Sequence, residues 1–235
     1  MAATAFTCLG ENLLFIKENV DRSLSRAGRR DTIHIMAVTK GHPREAWEAA
    51  LDAGLTLFGE NRVQEAEAKY GRGVPGGELH LIGHLQRNKA RRAAELFACV
   101  QSIDKSETAR ELDRHASALG KTIPIFLEVN TSKEESKFGY ADREALLRDL
   151  PEILGCAALR VAGLMTIGPL TDDEGAVRRA FSSLCGLFDE LRTTQGLQSL
   201  TNLSMGMSHD YGIAIEEGAT MIRIGTALFG KRPSA

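Results

Sequence analysis

Several features that would place a chain outside an ordinary aqueous fold are scarce or missing here. Cysteine occurs only four times, at Cys8, Cys99, Cys156 and Cys185. These are far apart, with no CxxC pair and no histidine cluster at zinc-site spacing, which excludes a disulfide framework or a zinc module and leaves isolated, reduced thiols. Charge of one sign is also lacking: 29 Lys and Arg face 31 Asp and Glu, a formal net charge of −2. Bulk electrostatics therefore gives no support to a nucleic-acid or membrane partner, and a small molecule is the better expectation. No apolar run approaches the roughly 18 residues that span a bilayer. The opening MAATAFTCLGENLLF has no basic n-region and meets Glu11 before an apolar h-region forms, so a cytoplasmic location is expected. No proline-rich or serine-rich linker interrupts the chain, which is read as one domain over 1–235.

What is present is a composition that can bury a core, 43% hydrophobic and 26% charged with only 6% aromatic residues. The apolar positions Leu13, Leu14, Ile16, Val20 and Leu24 fall on one stripe and predict a leading amphipathic helix. Short apolar runs follow at 33–38, 55–58, 79–82, 100–103, 123–129, 161–167, 202–205 and 221–224. Between them lie helical patterns, among them 44–53, 107–119, 143–150, 173–191 and 209–217. Eight strands alternating with helices predict an α/β chain with a parallel sheet, and eight units in this length have the size of a (β/α)8 TIM barrel with an extra N-terminal helix. The competing architecture, an open doubly wound sheet, is usually satisfied with five or six strands.

In such a barrel the loops after the strands form the active face, so polar residues at strand ends carry weight. They include Lys40, Asn61, His84, Asp104, Glu128 with Asn130, Thr166, Ser204 to Ser208, and Arg223 to Thr226. A lysine at the rim of a barrel core, as Lys40 would be, loses solvation and is freed as a neutral amine for Schiff-base chemistry; the competing reading is a solvated loop lysine. Strands seven and eight end in NLSMGMS and RIGT, where Gly206 and Gly225 let backbone N–H groups approach an anion and the hydroxyls of Ser204 and Thr226 can donate to it. Each segment alone also reads as an ordinary turn or strand end. Lysine and anion cradle together point to a phosphate-bearing aldehyde, of which pyridoxal 5'-phosphate (PLP) is the commonest cofactor.

AVTKGHP (37–43), FGENRVQEA (58–66), HLIGHLQRNK (80–89), EVNTSKEESKFG (128–139), LMTIGP (164–169), NLSMGMSHDYGIAIEEGAT (202–220) and RIGTALFG (223–230) resemble the YggS/PROSC family of pyridoxal phosphate homeostasis proteins. The resemblance runs in order from about residue 10 to 231. It implies a barrel similar to the N-terminal domain of alanine racemase, with PLP held as an internal aldimine on Lys40. It further implies a phosphate held by Ser204, Gly225 and Thr226, and Arg223 facing the pyridine nitrogen. The loop at His84 departs from the family's usual IGPLQxNK. The function implied is binding and homeostasis of PLP within the cell, without turnover; the chain is expected to be a monomer whose partners are PLP and PLP-dependent apoenzymes.

Other residues admit two readings. Lys137 could approach the cofactor's phenolate or be a solvated loop lysine. Asn61, placed with the cofactor-binding set, and Asn130 could orient the ring or its lysine, or cap the next helices. His209 reads as a surface residue opening a helix, with no metal partner at suitable spacing. The basic run Arg87 to Arg92 lacks interleaved aromatics and reads as a solvated helix face rather than an RNA site. The alternative function, a PLP-dependent amino-acid racemase, would use the same aldimine. It also needs a second base, which in alanine racemase is a tyrosine from a further domain, and Tyr70, Tyr140 and Tyr211 fall in no recognisable racemase motif, although the last two could lie near the mouth.

Overall fold

The computed structural model describes residues 6–71 and 74–231. Eight parallel strands close into a barrel in sequence order: β1 (His34–Val38), β2 (Leu57–Glu60), β3 (Glu78–Leu81), β4 (Cys99–Ile103), β5 (Ile123–Glu128), β6 (Leu159–Met165), β7 (Asn202–Ser204) and β8 (Met221–Ile224). The ring closes between β8 and β1, where Met36 pairs with Arg223 and Ala37 with Ile224. Around it lie α1 (Leu9–Arg26), α2 (Arg44–Asp52), α3 (Val63–Tyr70), α4 (Ala90–Leu96), α5 (Ser106–Ala118), α6 (Arg143–Leu154), α7 (Glu174–Thr194), α8 (Tyr211–Glu216) and α9 (Thr226–Phe229). The architecture is the (β/α)8 barrel with an additional N-terminal helix that the alternation predicts.

The strands read as continuous apolar runs because both of their faces are covered, one by helices and one by the barrel interior; all of β4 is buried. Two apolar cores result. The larger lies between strands and helices and takes Phe58, Leu112, Ile125, Leu146 and Phe181. The smaller fills the barrel with Met36, Val38, Ile82, Cys99, Phe126, Ala162, Met165 and Met221. Gly59 makes room for it, since a Cβ there would stand 2.6 Å from Met36 Sδ.

The leading helix runs longer than its apolar stripe suggests. Leu9, Leu13, Ile16 and Val20 form its buried face, whereas Leu14, expected on that stripe, is 60% exposed. It packs on α8 and α9, with Asn12 Nδ2 donating to the Leu228 carbonyl at 3.0 Å. Two other helices differ from expectation. α6 continues past Pro151 to Leu154: proline withholds its own N–H but still accepts, and the last turn closes with the Gly155 amide donating to the Pro151 carbonyl at 3.1 Å. α8 starts at Tyr211 rather than His209, behind Asp210. The four cysteines are free thiols, and no helix among the described residues is long and apolar enough to cross a membrane.

Candidate functional site

The loops following the strands surround a cavity of about 970 Å3 at one end of the barrel. Its wall includes Lys40, Asn61, Glu128, Arg223, Gly225 and Thr226, so five of the six residues expected to hold a cofactor are brought together. Lys40 stands two positions beyond β1, half-buried. The peptides on either side of it are tied to α3: Lys69 Nζ donates to the Thr39 carbonyl at 2.8 Å, and Glu65 accepts from the Gly41 amide at 2.6 Å.

Behind this loop lies a buried network. Glu60 Oε1 accepts from Lys69 Nζ at 2.6 Å and from Thr39 Oγ1 at 2.7 Å, and Tyr70 OH lies 2.7 Å from Thr39 Oγ1. Burial raises the Glu60 carboxyl above its ordinary value, and the Lys69 ammonium opposes that shift. The result is a rigid platform under the strand-one lysine. β2 and β3 also approach closely here: a Cβ on Gly83 would meet the Asn61 carbonyl oxygen at 2.3 Å. The N-cap of α3 is Arg62 and not Asn61, so Asn61 is left facing the cavity.

Arg223 is buried to 4% exposure at the cavity floor. Its Nη1 donates to Ser204 Oγ at 2.9 Å and its Nη2 to the Thr166 carbonyl at 2.8 Å. Burial pushes its guanidinium down to about 10, against the opposing charges of Asp210 and Glu128, so the cation persists at neutral pH. A guanidinium has five N–H donors, and these two bonds leave others for a ligand.

Ser204 is the exception among the expected residues. It is fully buried and stands below the cavity, where its hydroxyl donates to Gln101 Oε1 at 2.7 Å while accepting from Arg223. The hydroxyl is thus engaged inside the barrel, where Ser204 holds Arg223. Ser208, four residues on, lines the cavity instead, and its Oγ accepts from the Ala227 amide at 3.1 Å, next to Thr226. Ser208, Gly225 and Thr226 thus stand together on the cavity wall. Gly206 permits the turn: its φ is +91°, and a Cβ would stand 2.6 Å from that of Ala214.

The remaining candidates find specific places. Lys137 lines the cavity and donates to Glu134 Oε1 at 2.6 Å and to the Gly168 carbonyl at 2.8 Å, so it is not the solvated loop lysine. Asn130 neither lines the cavity nor caps a helix; its Nδ2 donates to the Glu134 carbonyl at 2.8 Å and braces the loop after β5, while Asp142 caps α6. His84 stacks on Phe138 with ring centroids 4.1 Å apart. His209 lines the cavity with its Nε2 3.4 Å from Asp210 Oδ2, and no group of metal-ligating side chains is found among the described residues. Within the basic run, Arg91 and Arg92 pair with Glu95, and Arg92 also with Glu67.

Residues 12–233 match the family model described as alanine racemase, N-terminal domain. A pyridoxal phosphate homeostasis protein of Synechocystis is 41% identical over 203 residues, covering 86% of this chain and 92% of the relative. One from Pasteurella multocida is 36% identical over 228 residues, covering 94% of this chain and 97% of the relative. The chain belongs to the pyridoxal phosphate homeostasis protein family. Among solved structures, PipY of Synechococcus elongatus with PLP bound superposes with a TM-score of 0.81 at 36% identity, over 94% of this chain and all of that one.

The donor set fits the cofactor that names the family. An amine meets an aldehyde, two hydroxyls beside a side-chain-free Gly225 suit a phosphate, and a buried guanidinium suits a ring nitrogen that accepts a hydrogen bond. Two cavity features escaped assignment from sequence. The motif offers Ser204 and Ser208 alike and does not say which faces the cavity, and Glu128 is a strand-end residue to which the sequence attaches no role. The signal for Glu128 was present, a carboxylate closing an otherwise apolar strand.

Proposed function

We propose that this chain binds pyridoxal 5'-phosphate, carries it covalently on Lys40, and serves intracellular PLP homeostasis without catalytic turnover, passing the cofactor to PLP-dependent apoenzymes. The observation that carries the reading is one cavity holding the Lys40 amine, the Ser208, Gly225 and Thr226 cradle and the Arg223 guanidinium on adjoining strand ends. PLP supplies an aldehyde that condenses with a primary amine to a C=N bond with loss of water.

Lys40 provides that amine on a loop whose flanking peptides are pinned. The hydroxyls of Ser208 and Thr226 donate to phosphate oxygens, and Gly225 lets the backbone come close. Arg223 donates toward the ring nitrogen and, being charged itself, disfavours a second positive charge there. That keeps the ring a weak electron sink, which suits a carrier. The tyrosines support the same reading. Tyr70 is engaged with Thr39, Tyr140 OH donates to Asp149 at 3.1 Å, and Tyr211 is buried at the start of α8, so none lines the cavity as a second base facing Lys40.

The experiment is borohydride reduction of the cofactor-loaded protein, mass mapping of the modified lysine, and a racemisation assay with L-alanine. A reduced adduct on Lys40, lost in Lys40→Ala, with no racemisation above a free-cofactor control, is expected. An adduct on Lys89 or Lys137 would sink the Lys40 assignment, and multiple turnovers abolished by Lys40→Ala would make the protein a racemase.

A further inference from the structure

Glu128 ends β5, four strands from β1 in the closed ring, so it stands across the mouth from Lys40. It lines the cavity although only 3% of the residue is exposed, and its Oε2 accepts no hydrogen bond among the described residues. Asp104, in the loop after β4, is also buried, its charge bears on Glu128, and its Oδ1 likewise accepts none. Its other carboxyl oxygen lies 3.2 Å from His84 Nδ1. Arg223 does not satisfy Glu128 Oε2: its two terminal nitrogens donate to Ser204 Oγ and to the Thr166 carbonyl.

A buried acceptor without a donor is costly, and an acidic pair of this kind is best relieved by a ligand that brings N–H donors and positive charge. A metal ion is disfavoured, because no group of three ligating side chains occurs among the described residues. The cavity, at about 970 Å3, lies at the upper end of the usual ligand-pocket range, leaving room beside a bound cofactor.

We infer that Glu128, backed by Asp104, is the subsite that receives the ammonium group of a small free primary amine, a further acceptor, besides the apoenzymes, to which the cofactor is handed from Lys40. This rests on the proposed Lys40 linkage. In the exchange the acceptor ammonium loses two protons as its nitrogen forms the double bond to the carbon held by Lys40. Both bonds from that carbon to Lys40 Nζ break, and the released lysine takes up two protons and leaves as an ammonium, so atoms and charge balance without an oxidant or reductant.

The test uses the cofactor-loaded full chain and follows the loss of Lys40-bound absorbance with two probes: ethylamine, which arrives as a cation, and O-methylhydroxylamine, which is uncharged at neutral pH. Glu128→Gln should raise the half-saturating ethylamine concentration by about tenfold or more, the value of one charge-assisted hydrogen bond, and leave that for O-methylhydroxylamine within about twofold. Equal changes for both probes, or none for ethylamine, would overturn the subsite. A second measurement titrates ethylammonium chloride into cofactor-free full chain and follows the Glu128 carboxyl carbon by NMR, with sodium chloride as control. A saturating shift specific to ethylammonium is expected, and its absence overturns the inference. If borohydride mapping finds no adduct on Lys40, the proposed function fails, and the NMR titration alone then decides for or against the cation subsite.

Discussion

Replacing Glu128 by Gln tests the electrostatics of the cavity in the cofactor-free chain, before any ligand is considered. Burial pushes the Glu128 carboxyl from an ordinary 4.5 up to about 7; Asp104 adds to the rise and Arg223 opposes it. The folded state therefore holds this proton more tightly than the unfolded chain does. Between pH 4.5 and 7 the native state binds more protons, so stability falls as pH rises through that window. At about 1.36 kcal/mol per pKa unit the difference amounts to about 3 kcal/mol, lost in full above pH 7. Glutamine has the same shape and no charge to desolvate. The variant should match the wild type near pH 4.5, where the wild-type carboxyl is protonated, and exceed it by up to about 3 kcal/mol at pH 8. Urea unfolding at a series of pH values measures this, and the wild-type-minus-variant difference cancels every titration the two share. A difference that stays flat with pH, or a variant less stable at pH 8, would refute the reasoning: the Arg223 charge would then outweigh burial and hold Glu128 ionised.

Ser208→Ala should weaken PLP binding by about tenfold or more while barely changing affinity for unphosphorylated pyridoxal, whereas Ser204→Ala, by disturbing Arg223, should affect both ligands alike; paired titrations of both variants decide it. Lys69→Met leaves the Glu60 carboxyl buried beside an apolar chain and should destabilise by about 3 to 5 kcal/mol in urea unfolding, most of which Glu60→Gln combined with Lys69→Met recovers. Failure of the double variant to recover would mean that Lys69 acts through its bond to Thr39 and not through the ion pair. Gly83→Ala places a methyl group 2.3 Å from the Asn61 carbonyl oxygen and should cost about 1 to 3 kcal/mol. An unchanged melting temperature would contradict so close an approach of β2 and β3.

The eight strands were legible because each is a short apolar run stopped by a polar loop, and eight such runs in series leave few architectures open. The cavity residues Lys40, Asn61, Arg223, Gly225 and Thr226 were legible for a related reason, since a parallel barrel sends the end of every strand to the same face. Helix limits were less so. The early start of α1 at Leu9 depends on docking against α8 and α9, a tertiary contact with no local signature. The exposure of Leu14 follows from the helix's rotation about its axis, which two adjacent leucines do not specify.

The choice between Ser204 and Ser208 shows where sequence reasoning stops. β7 has only three residues, too few for an alternation that would say which side chain points inward. The interior of the barrel supplies the answer. Gln101 Nε2 donates to His80 Nδ1 at 2.9 Å, Gln101 Oε1 accepts from Ser204, and Ser204 accepts from Arg223, so a polar chain climbs through an otherwise apolar core to the cavity floor. Each member satisfies the next, and leaving any of them without its partner would strand a buried polar group. The position of Arg223 at the mouth is therefore set from below, by residues on β3, β4 and β7 that lie outside the cavity lining. A serine that the motif suggests for phosphate holds the guanidinium, and the serine four residues further along, where the chain has already left the strand, lines the cavity and is the one the proposed function assigns to the anion.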